Sequence, residues 1–92
     1  METLYNVIQG QVEAAEYTVN EGSAVTDIPL MDMPMKKDVL IAAIIRDGKV
    51  RIPRGQDVIS EGDRVVVVTR AKAINDIADI LDGNRPHIRG GV

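Results

Sequence analysis

The 92-residue sequence predicts an α+β fold: a small mixed or antiparallel β-sheet, with a short helix after strand 1 and a C-terminal amphipathic helix. Three observations carry this. The large aliphatics are 12 Val and 11 Ile against 4 Leu, and branching at Cβ suits a pleated surface better than a helix. Residues 39–46 and 64–69 are dense runs of such side chains, as in strands buried within a sheet. Ile74, Ile77, Ala78 and Leu81 recur at i, i+3, i+4 and i+7, the stripe of a helix lying on that sheet. A chain of this length makes one domain with a small core.

Leu4, Val7 and Ile8 stand at helical spacing before Gly10, so residues 1–12 read as the end of a helix entering from upstream. In residues 13–19, Ala15, Tyr17 and Val19 alternate with Glu16 and Thr18, the pattern of a half-buried first strand. A turn follows at 20–23. Pro29 then opens residues 29–33 as a short helix or tight turn, which Pro34 ends. The 39–46 strand is apolar on both sides, so it is expected at the centre, covered on two faces. Asp47-Gly48 suits a type I′ hairpin. Its return strand, 49–52, is expected to turn Val50 and Ile52 to the core and Lys49 and Arg51 outward, with Pro53 ending it. A short extended stretch at 57–59 and a turn at 61–63 lead to the 64–69 strand. The helix is expected over 72–81 with Gly83 at its cap. Residues 83–92 read as a flexible tail.

Function classes fall away quickly. There is no cysteine and one histidine, His87, which excludes disulfides, thiolate metal sites and a two-histidine metal cluster. Ser23 and Ser60 sit in turns far from any base, so the nucleophile-and-base pairing that covalent catalysis needs is missing. Neither a Gly-x-Gly-x-x-Gly nor a P-loop motif occurs. Asp76, Asp79 and Asp82 suit a solvated helix face, and Met31, Met33 and Met35 suit core filling. Net charge −3, a pI near 5.0 and two aromatic residues argue against nucleic-acid binding. No apolar run approaches the roughly 20 residues of a membrane span. A cytosolic protein without enzymatic activity is expected.

Charge is uneven along the chain. Residues 1–35 hold six acids and no base, while residues 36–92 hold all 11 basic residues. Arg46, Lys49, Arg51 and Arg54 crowd one hairpin with only Asp47 opposing them in sequence. Guanidinium groups pair well with phosphate or carboxylate, so Arg46, Arg51 and Arg54 are candidate anion-binding residues. The competing reading is that these charges protect a sheet edge.

The blocks Ala14-Ala15-Glu16-Tyr17-Thr18-Val19, Glu21-Gly22-Ser23 and Ile28-Pro29-Leu30 resemble the start of the TrkA C-terminal (RCK-C) domain family. The likeness tightens at Ile44-Ile45-Arg46-Asp47-Gly48, Ile52-Pro53-Arg54-Gly55 and Gly62-Asp63-Arg64-Val65, and covers about residues 13–81. The resemblance implies a regulatory module, 13–82, paired as a homodimer and serving a potassium transporter or channel at the membrane. Residues 1–12 would then be a linker or helix remnant of an upstream Rossmann-like subdomain, where any NAD or ATP site would lie. No cofactor is expected in this chain itself. Some family members bind cyclic di-AMP through an Asp-x-Arg segment; here Pro34-Met35-Lys36 stands in that place, without the Asp. A two-fold interface is expected to be built partly from the 39–45 strand or the 29–33 element, with Leu40, Ile41, Ile44, Leu30 and Met33 as candidate contacts. A stand-alone sensor of a small anion or nucleotide is the alternative, as is regulation of a different transporter.

Overall fold

A computed structural model describes residues 3–8 as backbone, and residues 11–70 and 74–82 in full. Five strands, β1 (Thr3–Ile8), β2 (Val12–Thr18), β3 (Val39–Arg46), β4 (Lys49–Arg51) and β5 (Arg64–Thr69), form one sheet in the order β1-β2-β5-β3-β4. Every pair is antiparallel. Two short 3-10 turns, Leu30–Asp32 and Ile77–Ile80, are the only helical elements among the described residues.

One face of the sheet carries the core. Ala15 and Tyr17 of β2, Ile41 and Ile44 of β3, and Val65 and Val67 of β5 are buried on it. Ile41 and Ile44 are three residues apart, so strict alternation would place them on opposite faces. A register shift between Ile41 and Ala43 inserts one extra residue, and both isoleucines reach the core. Val19, Val25, Met33, Ile59, Ile74, Ile77 and Ile80 cover this face from the connecting segments. Those segments are strapped by backbone bonds. Leu30 N–H donates to the Asp57 carbonyl at 3.0 Å, Met31 to Gly55 at 2.9 Å, Lys36 to Ile80 at 2.7 Å and Asp82 to Pro34 at 2.8 Å.

Four expectations need correction. Residues 3–8 are a strand, not a helix, and pair with β2 from Thr3↔Glu16 to Ile8↔Val12. The free edge of β2 offers a row of hydrogen bonds, whereas one or two helical turns are marginal alone. The 72–81 helix is absent as such: among its described residues the chain makes only the 77–80 turn. The stripe there, Ile74, Ile77 and Ile80, keeps three-residue spacing, which a 3-10 turn satisfies. Asp76 and Asp79 hold that turn in a reciprocal capping box, each accepting backbone N–H bonds. Leu81 leaves it to bridge Met35. Residues 83–92 lie outside the described residues.

The third correction concerns β4. Asp47 and Gly48 both have positive φ, 52° and 78°, the tight hairpin the pair suggested. Such a turn sets Arg46 opposite Lys49, Ile45 opposite Val50 and Ile44 opposite Arg51. Since Ile44 is in the core, Val50 shares the opposite face with Ile45, and Val50 and Ile52 are 68% and 75% exposed. The fourth is that, among the described residues, β3 is covered on one face only. The 29–33 element, expected as a short helix or a tight turn, is a single 3-10 turn over Leu30–Asp32 and not a regular helix, while the β2 alternation holds residue for residue.

Candidate functional site

The β3–β4 hairpin and the returning loop 53–63 bring two arginines against two aspartates. Arg46 Nε and Nη2 donate to Asp63 Oδ1 and Oδ2, each at 2.8 Å, in a bidentate fork. Nη2 also donates to the Val58 carbonyl at 3.1 Å. Asp63 is 1% exposed and takes a third bond, 2.8 Å, from the Ser60 N–H. Burial alone would raise the Asp63 pKa, but the Arg46 and Ser60 bonds outweigh it and hold the carboxyl below its ordinary value. The same pairing raises Arg46.

Arg51 Nη2 donates to Asp57 Oδ1 at 2.9 Å, and the Arg54 backbone N–H donates to Asp57 Oδ2 at 2.6 Å. The Arg54 bond first, and the Arg51 charge after it, lower the Asp57 pKa. A cavity of about 160 Å³ lies between these groups, lined by Ile44, Arg46, Arg51, Gln56, Asp57 and Val58. The structure thus gathers Arg46 and Arg51 around one cleft. Arg54 lies in the next loop, exposed and outside that lining. Both cleft guanidiniums are already committed to carboxylates, so the arrangement is first a clamp closing the 53–63 loop onto the hairpin. Asp57 and Asp63, the partners, were not legible as such. Asp57 carries a local signal, three residues after Arg54 in a tight turn; Asp63 lies 17 residues from Arg46 and carries none.

The second candidate surface is the open face of the sheet. Strand register sets three rows across it: Ala14–Val68–Leu40, Glu16–Val66–Ala43, and Thr18–Arg64–Ile45–Val50. Leu40 is 61% exposed. Arg64 Nη2 forms an ion pair with Glu16 Oε2 within this face. Of the other expected interface residues, Ile41, Ile44 and Met33 are buried in the core and Leu30 packs half-buried against it. Their side chains are therefore used within the chain. Val50 and Ile45 are the exposed-face residues that sequence reasoning missed, and counting outward from the two-residue turn at Asp47-Gly48 would have found them.

Among the described residues no helix is long and apolar enough to cross a membrane, and no cluster of three or more His, Asp or Glu is placed to hold a metal.

The model of the TrkA-C domain family matches residues 14–82. The chain belongs to the TrkA-C domain family. Its relatives include a Trk system potassium uptake protein TrkA homolog of Archaeoglobus fulgidus, 37% identical over 72 residues, which is 78% of this chain and 16% of that protein. TrkA homolog 1 of Methanosarcina mazei is 34% identical over 77 residues, 84% of this chain and 17% of that protein. The chain therefore spans about a sixth of the length of these curated relatives. A solved structure described as an RCK domain with cda aligns with a TM-score of 0.58 at 27% identity, covering 75% of this chain and 97% of that one. The TrkA-C match coincides with the segment that carries β2 to β5 and both 3-10 turns, so the clamp and the open face both belong to the TrkA-C fold.

Proposed function

We propose that this chain is a regulatory, dimerising module of a Trk-type potassium uptake system, acting in the cytoplasm on a membrane cation transporter. The observation that carries the reading is the TrkA-C match over residues 14–82, shared with TrkA homologs over most of this chain. The geometry supports a packing element. It offers an apolar sheet face and an internal salt-bridge clamp, and regulation would act by shifting how two such domains associate. Two experiments test it. Sedimentation of the chain at high micromolar concentration is expected to give a dimer, and a monomer would refute the dimeric reading. Pull-down of the protein from cell membranes is expected to recover a potassium transporter subunit; recovery of a different transporter would refute the potassium assignment.

A second reading, sensing of a cyclic dinucleotide, is favoured by the solved RCK domain with cda. Here the Pro34-Met35-Lys36 segment is zipped to the second 3-10 turn by the Met35–Leu81 bridge and the bonds from Lys36 and Asp82. Calorimetric titration with cyclic di-AMP separates the readings: saturable heat supports sensing, and its absence leaves the packing role alone.

A further inference from the structure

We propose that the face of the β3–β4 hairpin bearing Arg46, Lys49 and Arg51 binds the phosphate group of a small phosphomonoester. This site does not depend on the dimerisation reading above.

Register brings the three cations together. Arg46 lies directly opposite Lys49, and Ile44 opposite Arg51. Residues directly opposite share a face, as do residues two apart in a strand, so Arg46, Lys49 and Arg51 stand on one face of the hairpin. A cavity of about 320 Å³ is lined by Arg46, Asp47, Lys49, Val50 and Arg51. Cations therefore outnumber carboxylates in its wall. Like charges directly opposite across a strand pair destabilise it. Asp63 offsets Arg46, but Lys49 touches no carboxylate among the described residues. An edge lysine by itself would protect β4 from pairing. Set against an arginine fixed on the inner strand β3, it leaves a demand for an anion that the described residues do not meet.

The aspartates that hold the two arginines leave donors over. Asp63 takes Nε and Nη2 of Arg46, and Asp57 takes Nη2 of Arg51. Among the described residues nothing accepts from Nη1 of either arginine or from the Lys49 ammonium. Arg46 and Arg51 line both this cavity and the 160 Å³ cleft described above, whereas Asp57 lines only the cleft. A guanidinium held by a carboxylate along one edge is fixed in orientation, so less rotamer freedom is lost when its other edge meets a ligand. Lys49 adds a mobile point charge. A phosphomonoester, close to doubly charged at neutral pH, takes planar donors bidentately and accepts an ammonium as well. Volume sets the ligand's size. The cavity lies at the small end of ligand sites, which span about 300–1,000 Å³. It holds a phosphate with a short organic group lying along the aliphatic stems of Lys49 and Arg51.

Amide NMR titration of the chain with phenyl phosphate and with inorganic phosphate at neutral pH is the test. Phenyl phosphate is expected to bind saturably in the millimolar range or tighter, with shifts centred on residues 46–51, and inorganic phosphate at least threefold more weakly. Lys49→Glu is expected to abolish binding. By removing the like-charge pair it is also expected to raise the urea midpoint of the phosphate-free chain. Lys37→Glu makes the same charge change at an exposed lysine outside the lining and is expected to leave binding unchanged. Equal binding of the two probes overturns the organic part of the ligand and leaves a site for the free ion. No saturable shift with either probe, loss of binding in Lys37→Glu as well, or binding that survives Lys49→Glu overturns the site. A lowered urea midpoint in Lys49→Glu shows that Lys49 serves the fold and overturns it too.

Discussion

Cutting the Arg46–Asp63 clamp from either side is expected to give unequal losses, and the inequality follows from exposure. The Asp63 side chain is 2% exposed and that of Arg46 44%. In Asp63→Asn, Arg46 loses its ionic partner but recovers water, and a half-exposed pair is discounted for solvent screening. A loss of about 1–2 kcal/mol is expected. In Arg46→Ala, a buried carboxylate keeps one bond, from the Ser60 N–H at 2.8 Å, and no counter-charge. Leaving a buried charged acceptor without its main partner is expected to cost about 3 kcal/mol.

The pH dependence separates the two further. In the wild type the folded-state pKa of Asp63 lies below the ordinary 3.8. Its stabilisation is therefore present above that value and lost as pH falls through the folded pKa. In Arg46→Ala, burial dominates and the folded pKa rises above 3.8. That variant loses stability as pH climbs past the ordinary value, so its deficit against wild type is largest at pH 7 and shrinks towards pH 4. Urea denaturation followed by circular dichroism at both pH values measures this. Equal losses for the two variants, or a deficit that does not shrink on acidification, would refute the reasoning.

Three other outcomes follow from the fold. Ile77→Ala empties a site that is 1% exposed and is expected to cost about 2–5 kcal/mol in urea denaturation. Gly48→Ala puts a Cβ at φ 78° in open space, where strain without clash is expected to cost about 1–2 kcal/mol of stability. The Tyr17 hydroxyl, whose pKa burial raises, donates to the Ile74 carbonyl at 3.1 Å across 57 residues of chain. Tyr17→Phe is expected to cost about 1 kcal/mol and to speed hydrogen exchange in residues 74–80 above the rest.

The parts of the fold that were legible are those where local pattern and burial agree. Ala15-Tyr17-Val19 alternates and is buried as read, and Asp47-Gly48 makes the turn its chemistry favours. Legibility failed where partners are distant or where two periods fit. Leu4, Val7 and Ile8 satisfy a helical spacing, but a free strand edge at β2 decides for β1. Ile74, Ile77 and Ile80 share a face in a 3-10 turn as well as in a helix, and the Asp76–Asp79 box selects the shorter form. The return strand was assigned the wrong face because its parity was read from its own alternation instead of being counted across the turn from Ile44. At the candidate site, the arginines stood out in sequence while their neutralising partner Asp63, 17 residues from Arg46, did not. The double-sided hydrophobicity of β3 predicts two covering layers, and the described residues supply one.

Dimerisation is the centre of the account, and sedimentation equilibrium of the wild type beside Leu40→Glu measures it most directly. A reversible wild-type dimer in the micromolar range, weakened tenfold or more by the substitution, is the result expected. A dimer indifferent to Leu40→Glu, or a folded monomer at high micromolar concentration, would contradict it.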